Sequence, residues 1–394
     1  MKKNKIINLS VPNLSVEPIL KNLRECLESG WVSTGGRFIS EFENKVAKYV
    51  GIDKAVGVQS GTAGLHLALR VLGVKSGEEV IAPTLTFIAA VNPITYLGAE
   101  PVFIDCDDTL CMDPIKLRRF CEEECELREG QLYNKKSGKC IKAIVVVHVF
   151  GNMADMEKIM DIAREYNLKV LEDSTEALGS YYIEGRYAGK YAGTIGDMGV
   201  YSFNANKIIT TGGGGMVVSN NRELLKKVRF LSVQAKTDPL YFVHDEIGYN
   251  YRMLNIQAAL GTDQIDRLER FIEAKIKNYK LYKDGIKNIE GLELLSFNQG
   301  IRANHWFYSL LVDKERYGLD KDELLIKLNE MGIQTRHIWG LIHEQKPYLK
   351  HEAYMMEKST YYIDRILNIP CSSSLTEREV ENVIEVLKKL GSGN

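Results

Sequence analysis

The chain has 394 residues, of which 45% are hydrophobic and 26% charged, and 51 Lys and Arg against 52 Asp and Glu leave a formal net charge of −1. That balance excludes the basic footprint of a nucleic-acid binder or of a protein held to an anionic membrane. The length exceeds what one simple core fills, so two unequal domains are expected.

The basic start, MKKNKIINLSVPNL, carries too short an apolar part for a signal-peptide core. Apolar spacing predicts a helix over 16–29 and another over 37–50, with a loop, SGWVSTGG, between them. Strands and helices then alternate. Strands are predicted at 55–58, 80–82, 101–104, 141–147 and 169–171, and helices at 65–72, 87–97 and 153–166, with 60–64 as a turn. Residues 80–99 carry no charge, but Pro83, Asn92 and Pro93 break the run. A buried strand and a buried helix are expected there, not a membrane span. The alternation predicts an open α/β fold whose mostly parallel sheet has helices on both faces, and such sheets bind ligands beyond their strands' carboxyl ends. The charged stretch 122–139 reads as a surface insertion or small hairpin. After about Phe230 the pattern changes: one long helix is predicted over 256–288, then a smaller α+β domain. The seven cysteines form no CxxC pair and have no close histidine, so reduced thiols, a cytoplasmic protein and no metal site are expected.

The most informative stretch is 199–218, GVYSFNANKIITTGGGGMVV. Lys207 is its single cation, set among small and apolar residues. Burial disfavours a charged ammonium, and an amine freed of its proton is what Schiff-base chemistry needs. Ser202 offers a hydroxyl nearby. The four glycines let backbone approach a ligand closely, although such a run is most often a plain flexible turn. The order of residues matches neither GxGxxG nor GxxxxGK[ST].

Other predicted strand ends carry polar groups. In QSGTAG, Ser60, Gly61 and Thr62 open a helix whose first N–H groups suit a phosphate; an ordinary helix cap is the alternative. In EDSTEALG, Asp173 is placed to hold a ring nitrogen protonated, with Glu176 one helical turn away; a capping carboxylate is the alternative. In PTLTFIAA, Phe87 stacks on a flat ring or fills the core. The run VFIDCDDTL at 102–110 matches the DxDxT pattern of aspartyl-phosphate phosphatases, but at least two strands precede it, where that nucleophile belongs on the first.

These blocks, taken in order, resemble the DegT/DnrJ/StrS family of pyridoxal-phosphate sugar aminotransferases. The resemblance is carried by SGTAGLHLAL, PTLTFIAA, PVFIDCD, VHVFGNMADM, EDSTEALGS, GDMGVYSFNANKIITTGGGGM and GYNYRMLNIQAALG. It implies an aspartate-aminotransferase-like fold: a large cofactor domain at 1–250 with a mostly parallel seven-stranded sheet, then a connecting helix and a smaller domain at 251–394. It also implies pyridoxal 5'-phosphate bound covalently by Lys207, with Asp173 at the ring nitrogen, Phe87 stacked on the ring, and Ser60, Gly61, Thr62 and Ser202 on the phosphate. Asn250 resembles the residue that reaches the neighbouring subunit's cofactor, which implies a homodimer with shared sites. Glu176 stands where the family often has glutamine, near the cofactor's phenolic oxygen, so it is either protonated or turned to the substrate.

The related 3-dehydratases carry histidine in place of Lys207, so transamination is expected, with L-glutamate as donor and a nucleotide-linked keto sugar as acceptor. The GGGGM run, the insertion and HIWGLIHEQKPY at 337–348 are most similar to the legionaminic-acid subgroup. Its substrate would be a UDP-linked 4-keto-6-deoxy-N-acetylhexosamine aminated at C4. Arg252, Arg336 and His343 are candidates for the pyrophosphate or donor carboxylate, with structural ion pairs as the alternative. A 3-aminotransferase, another pyridoxal-phosphate reaction, and a non-catalytic regulatory protein on this fold stay open.

Overall fold

Strands form where the sequence is apolar on both faces, as a sheet covered on two sides requires. The structure, a computed structural model, describes residues 6–238 and 240–391. Its central strands are β1 (Ala55–Val58), β2 (Glu79–Pro83), β3 (Glu100–Ile104), β4 (Cys140–Val147), β5 (Lys169–Asp173), β6 (Met198–Ser202) and β7 (Gly215–Val218). They lie in the order β1-β7-β6-β5-β4-β2-β3, and β7 alone runs against its neighbours. A hairpin of Cys125–Arg128 and Gln131–Asn134 pairs onto β4, as the charged insertion suggested, and Ala353–Tyr354 pairs onto β3, giving a sheet of ten strands.

Register brings the polar strand ends together. Val147 pairs with Asp173, Asp173 with Val200, and Gly215 with both Ser202 and Val58. The carboxyl ends of β1, β4, β5 and β6 therefore meet at one edge of the sheet.

The helices are α1 (Val16–Ser29), α2 (Arg37–Tyr49), α3 (Gly61–Val71), α4 (Met156–Glu165), α5 (Arg222–Ser232), α6 (Asn255–Asp266), α7 (Leu268–Ile286), α8 (Lys321–Glu330) and α9 (Glu377–Gly391). Three expectations need correction. Residues 60–64 are no turn: α3 starts at Gly61, because the Ser60 hydroxyl accepts the Ala63 N–H and caps it. Residues 87–97 form a short 3₁₀ turn, Ile88–Ala90, and one helical turn, Asn92–Tyr96, because Pro93 cannot continue a helix already under way. Residues 256–288 are two helices, broken at Arg267 (φ −105°, ψ −3°). Before the break α6 packs on α1 and α2, whereas beyond it α7 packs on α9.

A second, antiparallel sheet holds β8 (Leu292–Leu294), β9 (Tyr308–Val312), β10 (Arg336–His337) and β11 (Ile366–Ile369), in the order β8-β9-β11-β10. The N-terminal stretch runs to this sheet: Ile7 bridges Ile333, and the Leu9 carbonyl accepts the Cys371 N–H at 2.8 Å. One continuous apolar core joins the two sheets.

Candidate active site

A cleft of about 540 Å³ opens at the sheet edge where those strand ends meet. Ser60, Gly61, Thr62, Phe87, Asp173, Glu176, Ser202, Lys207 and Arg336 all line it. Nine residues named from sequence thus share one space, although they are drawn from five separate stretches of chain.

Asp173 ends β5 and is 3% exposed. Its Oδ1 accepts the Thr175 N–H at 3.0 Å. Burial raises its pKa, against the Thr175 hydrogen bonds and the charge of Lys207. His148 supports it from β4's end. Its N–H donates to the Asp173 carbonyl at 3.1 Å, its Nδ1 accepts the Ala154 N–H, and its Nε2–H therefore points at Glu172 Oε2, 2.9 Å away. Glu172 also accepts the N–H groups of Gly193, Ile195 and Gly196, which satisfies a fully buried carboxylate.

Lys207 lies in the loop after β6. Its side chain is 12% exposed, with Nζ 3.5 Å from Glu176 Oε1 and 4.1 Å from the centre of the Trp306 ring. Glu176, 4% exposed, accepts the Phe150 N–H on Oε2 at 2.9 Å. Burial pushes its pKa up to about 7, against the Lys207 charge and the Phe150 N–H.

At the opposite end of the cleft α3 begins. The Gly61 and Thr62 N–H groups belong to its first turn and have no acceptor within the helix. A Cβ on Gly61 would stand 2.9 Å from Ser202 Cβ, and one on Gly215 would stand 2.7 Å from the Ser60 carbonyl carbon. Bare backbone is therefore what lets this corner close around a small anion. Phe87, 53% exposed, presents its ring to the cleft rather than to the core.

Two candidates do not reach the cleft. Arg252 is buried, with Nη1 2.5 Å from Glu43 Oε1 and 2.9 Å from the Gly57 carbonyl, so its charge serves a structural ion pair. His343 is not part of the cleft lining: its Nδ1 is 2.6 Å from Thr84 Oγ1 and its ring is tilted against that of Phe103. Asn250 is exposed and lies outside its own chain's cleft. The DxDxT reading also falls. Asp105 is buried and fully engaged by Lys116 Nζ at 2.7 Å and by the N–H groups of Glu357, Lys358 and Ser359.

Sequence reasoning missed Trp306, Trp339, Phe150 and Asn206, which also line the cleft. Trp306 Nε1–H donates to the Asn206 carbonyl at 2.8 Å, and Asn206 Oδ1 is buried without a partner among the described residues. The chain has three tryptophans, and two of them are here. Their rarity was the available signal.

A model of the DegT/DnrJ/EryC1/StrS aminotransferase family matches residues 14–388. The chain belongs to that family. It is 36% identical over 392 residues to a Bacillus subtilis protein named putative pyridoxal phosphate-dependent aminotransferase EpsN, covering 98% of this chain and 96% of that one. It is also 36% identical over 371 residues to the GDP-perosamine synthase of Escherichia coli O157:H7, covering 94% of each. Among solved structures, DesI determined with its TDP-sugar product superimposes with a TM-score of 0.86 at 25% identity, covering 99% of this chain and 94% of that one. The aminotransferase fold read from the sequence is thus present.

Pyridoxal phosphate is the family's cofactor, and the cleft fits it on its own terms. One end offers uncommitted helix N–H groups in a corner with no room for a Cβ, and the other a buried carboxylate. A lysine amine stands between a carboxyl and a tryptophan ring, an exposed aromatic ring forms a wall, and a buried amide oxygen lacks a partner among the described residues.

Proposed function

We propose that the chain moves an amino group from L-glutamate to C4 of a nucleotide-linked 4-keto-6-deoxysugar, specifically a UDP-linked 4-keto-6-deoxy-N-acetylhexosamine of the legionaminic-acid type. The observation that carries the reading is the Lys207 amine, buried in one cleft with Asp173 at the end of β5 and the bare start of α3. Pyridoxal phosphate supplies an electron sink that acidifies the donor's α-proton. Lys207 holds the cofactor covalently through Nζ and, once displaced, removes that proton. Asp173 keeps the ring nitrogen protonated by opposite charge. The Gly61 and Thr62 N–H groups and the Ser60 and Ser202 hydroxyls take the phosphate, and Phe87 stacks on the ring. Arg336, exposed at the mouth, takes an anionic group of donor or sugar nucleotide. Phe150, Trp306, Phe307 and Trp339 form an aromatic wall that excludes water from the reacting atoms.

In this reading residues 1–250 are the cofactor domain and 251–394 the connecting helices and smaller domain. Two chains share their sites, with Asn250 serving its neighbour. Support comes from the exposed Asn250 and from Leu240, Tyr241, Phe242 and Ile247 nearby, each more than two-thirds exposed. A cytoplasmic location belongs to the same proposal, supported by seven free cysteines of which six are buried.

The test incubates the protein with L-glutamate and UDP-, dTDP- and GDP-linked 4-keto-6-deoxysugars and follows product mass and the position of the new amine. Amination of the UDP sugar at C4 is expected. The relative named as a GDP-perosamine synthase favours GDP as the second carrier, and amination of that substrate alone would overturn UDP. Amination at C3 would move the chain to the 3-aminotransferases. A protein that binds the cofactor but whose visible absorption does not change with glutamate would be a non-catalytic one.

A further inference from the structure

Lys207 must lose a proton before it can act as a base, and its side chain is only 12% exposed. Its Nζ faces the Trp306 ring, which has no site for a proton, and Glu176 Oε1 at 3.5 Å. Both side chains are nearly buried, and Glu176 is anchored from behind by the Phe150 N–H and, through its own carbonyl, by Asn304 Nδ2 at 2.9 Å. These contacts hold the carboxyl towards Lys207.

We propose that Glu176 is a catalytic residue that stores the proton of Lys207. In the transfer, an N–H bond of the Lys207 ammonium breaks, its electron pair stays on Nζ, and the proton forms an O–H bond with Glu176 Oε1. The pair carries no net charge before or after, so the exchange replaces a buried ion pair by two neutral groups and adds no charge to the cleft. Returning the proton to Nζ resets the pair.

The surroundings raise the proton affinity of the Glu176 carboxyl. The groups facing Glu176 are Lys207 from the loop after β6, Asp173 from the end of β5, the Cys111 thiol, and the Phe150 N–H. Burial and Asp173 favour the acid form, while Lys207 and Phe150 favour the anion, and the balance stands near neutral pH. A glutamine here would keep the hydrogen bond to Phe150 but could not hold the proton.

The inference rests on the aminotransferase reading, and its test separates the two. Cofactor uptake is read by visible absorption, and the glutamate half-reaction by its single-turnover rate against pH. The expected result for Glu176→Gln is normal cofactor uptake, an unchanged dissociation constant for glutamate, and a half-reaction slowed by about 100-fold, with the near-neutral ionisation gone from its pH profile. A variant with the wild-type rate and profile would overturn the proposal. No cofactor uptake by the wild type would overturn the aminotransferase reading instead. The second measurement needs no turnover: ¹³C-glutamate NMR of the full chain without cofactor, compared with Lys207→Met. One buried carboxyl is expected to titrate near neutral pH, and its midpoint rises when the lysine charge is removed. A Glu176 carboxyl that stays ionised to below pH about 5 in both proteins would refute proton storage.

Discussion

Arg252 separates structure from chemistry, and Arg252→Met decides between them. The methionine keeps most of the buried stem and removes two contacts, Nη1 to Glu43 Oε1 at 2.5 Å and to the Gly57 carbonyl at 2.9 Å. Glu43 is left nearly buried, with side-chain exposure of 6%. It retains the Gly57 N–H at 2.7 Å and Arg229 Nη2 at 2.7 Å, but the Arg229 side chain is 48% exposed and its charge is screened by water. Removing one partner of a buried ion pair costs about 3–5 kcal/mol, and the two surviving contacts place this case at the lower end, about 3 kcal/mol. Urea unfolding followed by tryptophan fluorescence measures that loss, and steady-state kinetics on the same preparation measures KM. The expected outcome is a lowered unfolding midpoint with KM changed less than about threefold. A charge-assisted contact to substrate would instead be worth about 1.5–3 kcal/mol, a rise in KM of about 10- to 100-fold. An unchanged midpoint with KM raised by that much would refute the structural assignment.

Four further outcomes follow from the geometry. Lys207→Ala removes the amine that stands 3.5 Å from Glu176, so turnover falls to background while the unfolding midpoint holds; retained turnover would sink the lysine's role. Asp173→Asn keeps the shape and the Thr175 N–H contact but loses the charge, and the half-reaction with glutamate slows by at least about 100-fold as followed by stopped-flow absorbance. Glu176 has a folded-state pKa raised from 4.5 to about 7, so the cofactor-free protein holds the associated stability below pH 4.5 and loses it as pH rises through 7. The difference in unfolding free energy between Glu176→Gln and wild type therefore shifts in the variant's favour between pH about 5 and about 8, by at most about 3 kcal/mol. Gly215→Ala places a Cβ 2.7 Å from the Ser60 backbone and 2.8 Å from the Gly61 nitrogen, so cofactor affinity measured by equilibrium titration falls by about tenfold or more without any contact to the cofactor having been removed.

The strands were legible because a two-sided apolar environment leaves unbroken runs such as 141–147, and the hairpin insertion because charge and turn residues cluster in it. Helix boundaries were less so. Glycine at the start of α3 argues against helix on propensity alone, yet one hydroxyl at Ser60 decides the matter by satisfying the Ala63 N–H. The break at Arg267 left no mark, because helical spacing continues across a single non-helical residue while the face it buries changes partner. In the site, Lys207, Asp173 and the Ser60 corner stood out because each joins a strand end to small residues. Trp306 did not, because it lies in another part of the chain. It meets Lys207 only through tertiary folding, fixed by its Nε1 hydrogen bond to Asn206. Arg252 and His343 were drawn to the site by residue type alone, and nothing in the sequence reveals the buried Glu43 and Thr84 that claim them.

The four glycines after Lys207 show how the unusual composition serves the site. They are neither a slack turn nor a nucleotide loop. Gly212 and Gly214 adopt φ of 78° and 109°, which side-chain-bearing residues avoid, and so turn the chain from the lysine loop into β7. Gly213 and Gly214 form part of the cleft wall, and Gly214 bridges Ser60. Gly215 then lies flat against the Ser60 carbonyl while pairing with both Ser202 and Val58. One antiparallel strand thus clamps the start of α3 to the end of β6, and the anion corner and the lysine loop are two ends of the same connection. A side chain at Gly215, whose Cβ would stand 2.7 Å from the Ser60 carbonyl carbon and 2.8 Å from the Gly61 nitrogen, therefore strains the anion corner and the lysine loop together.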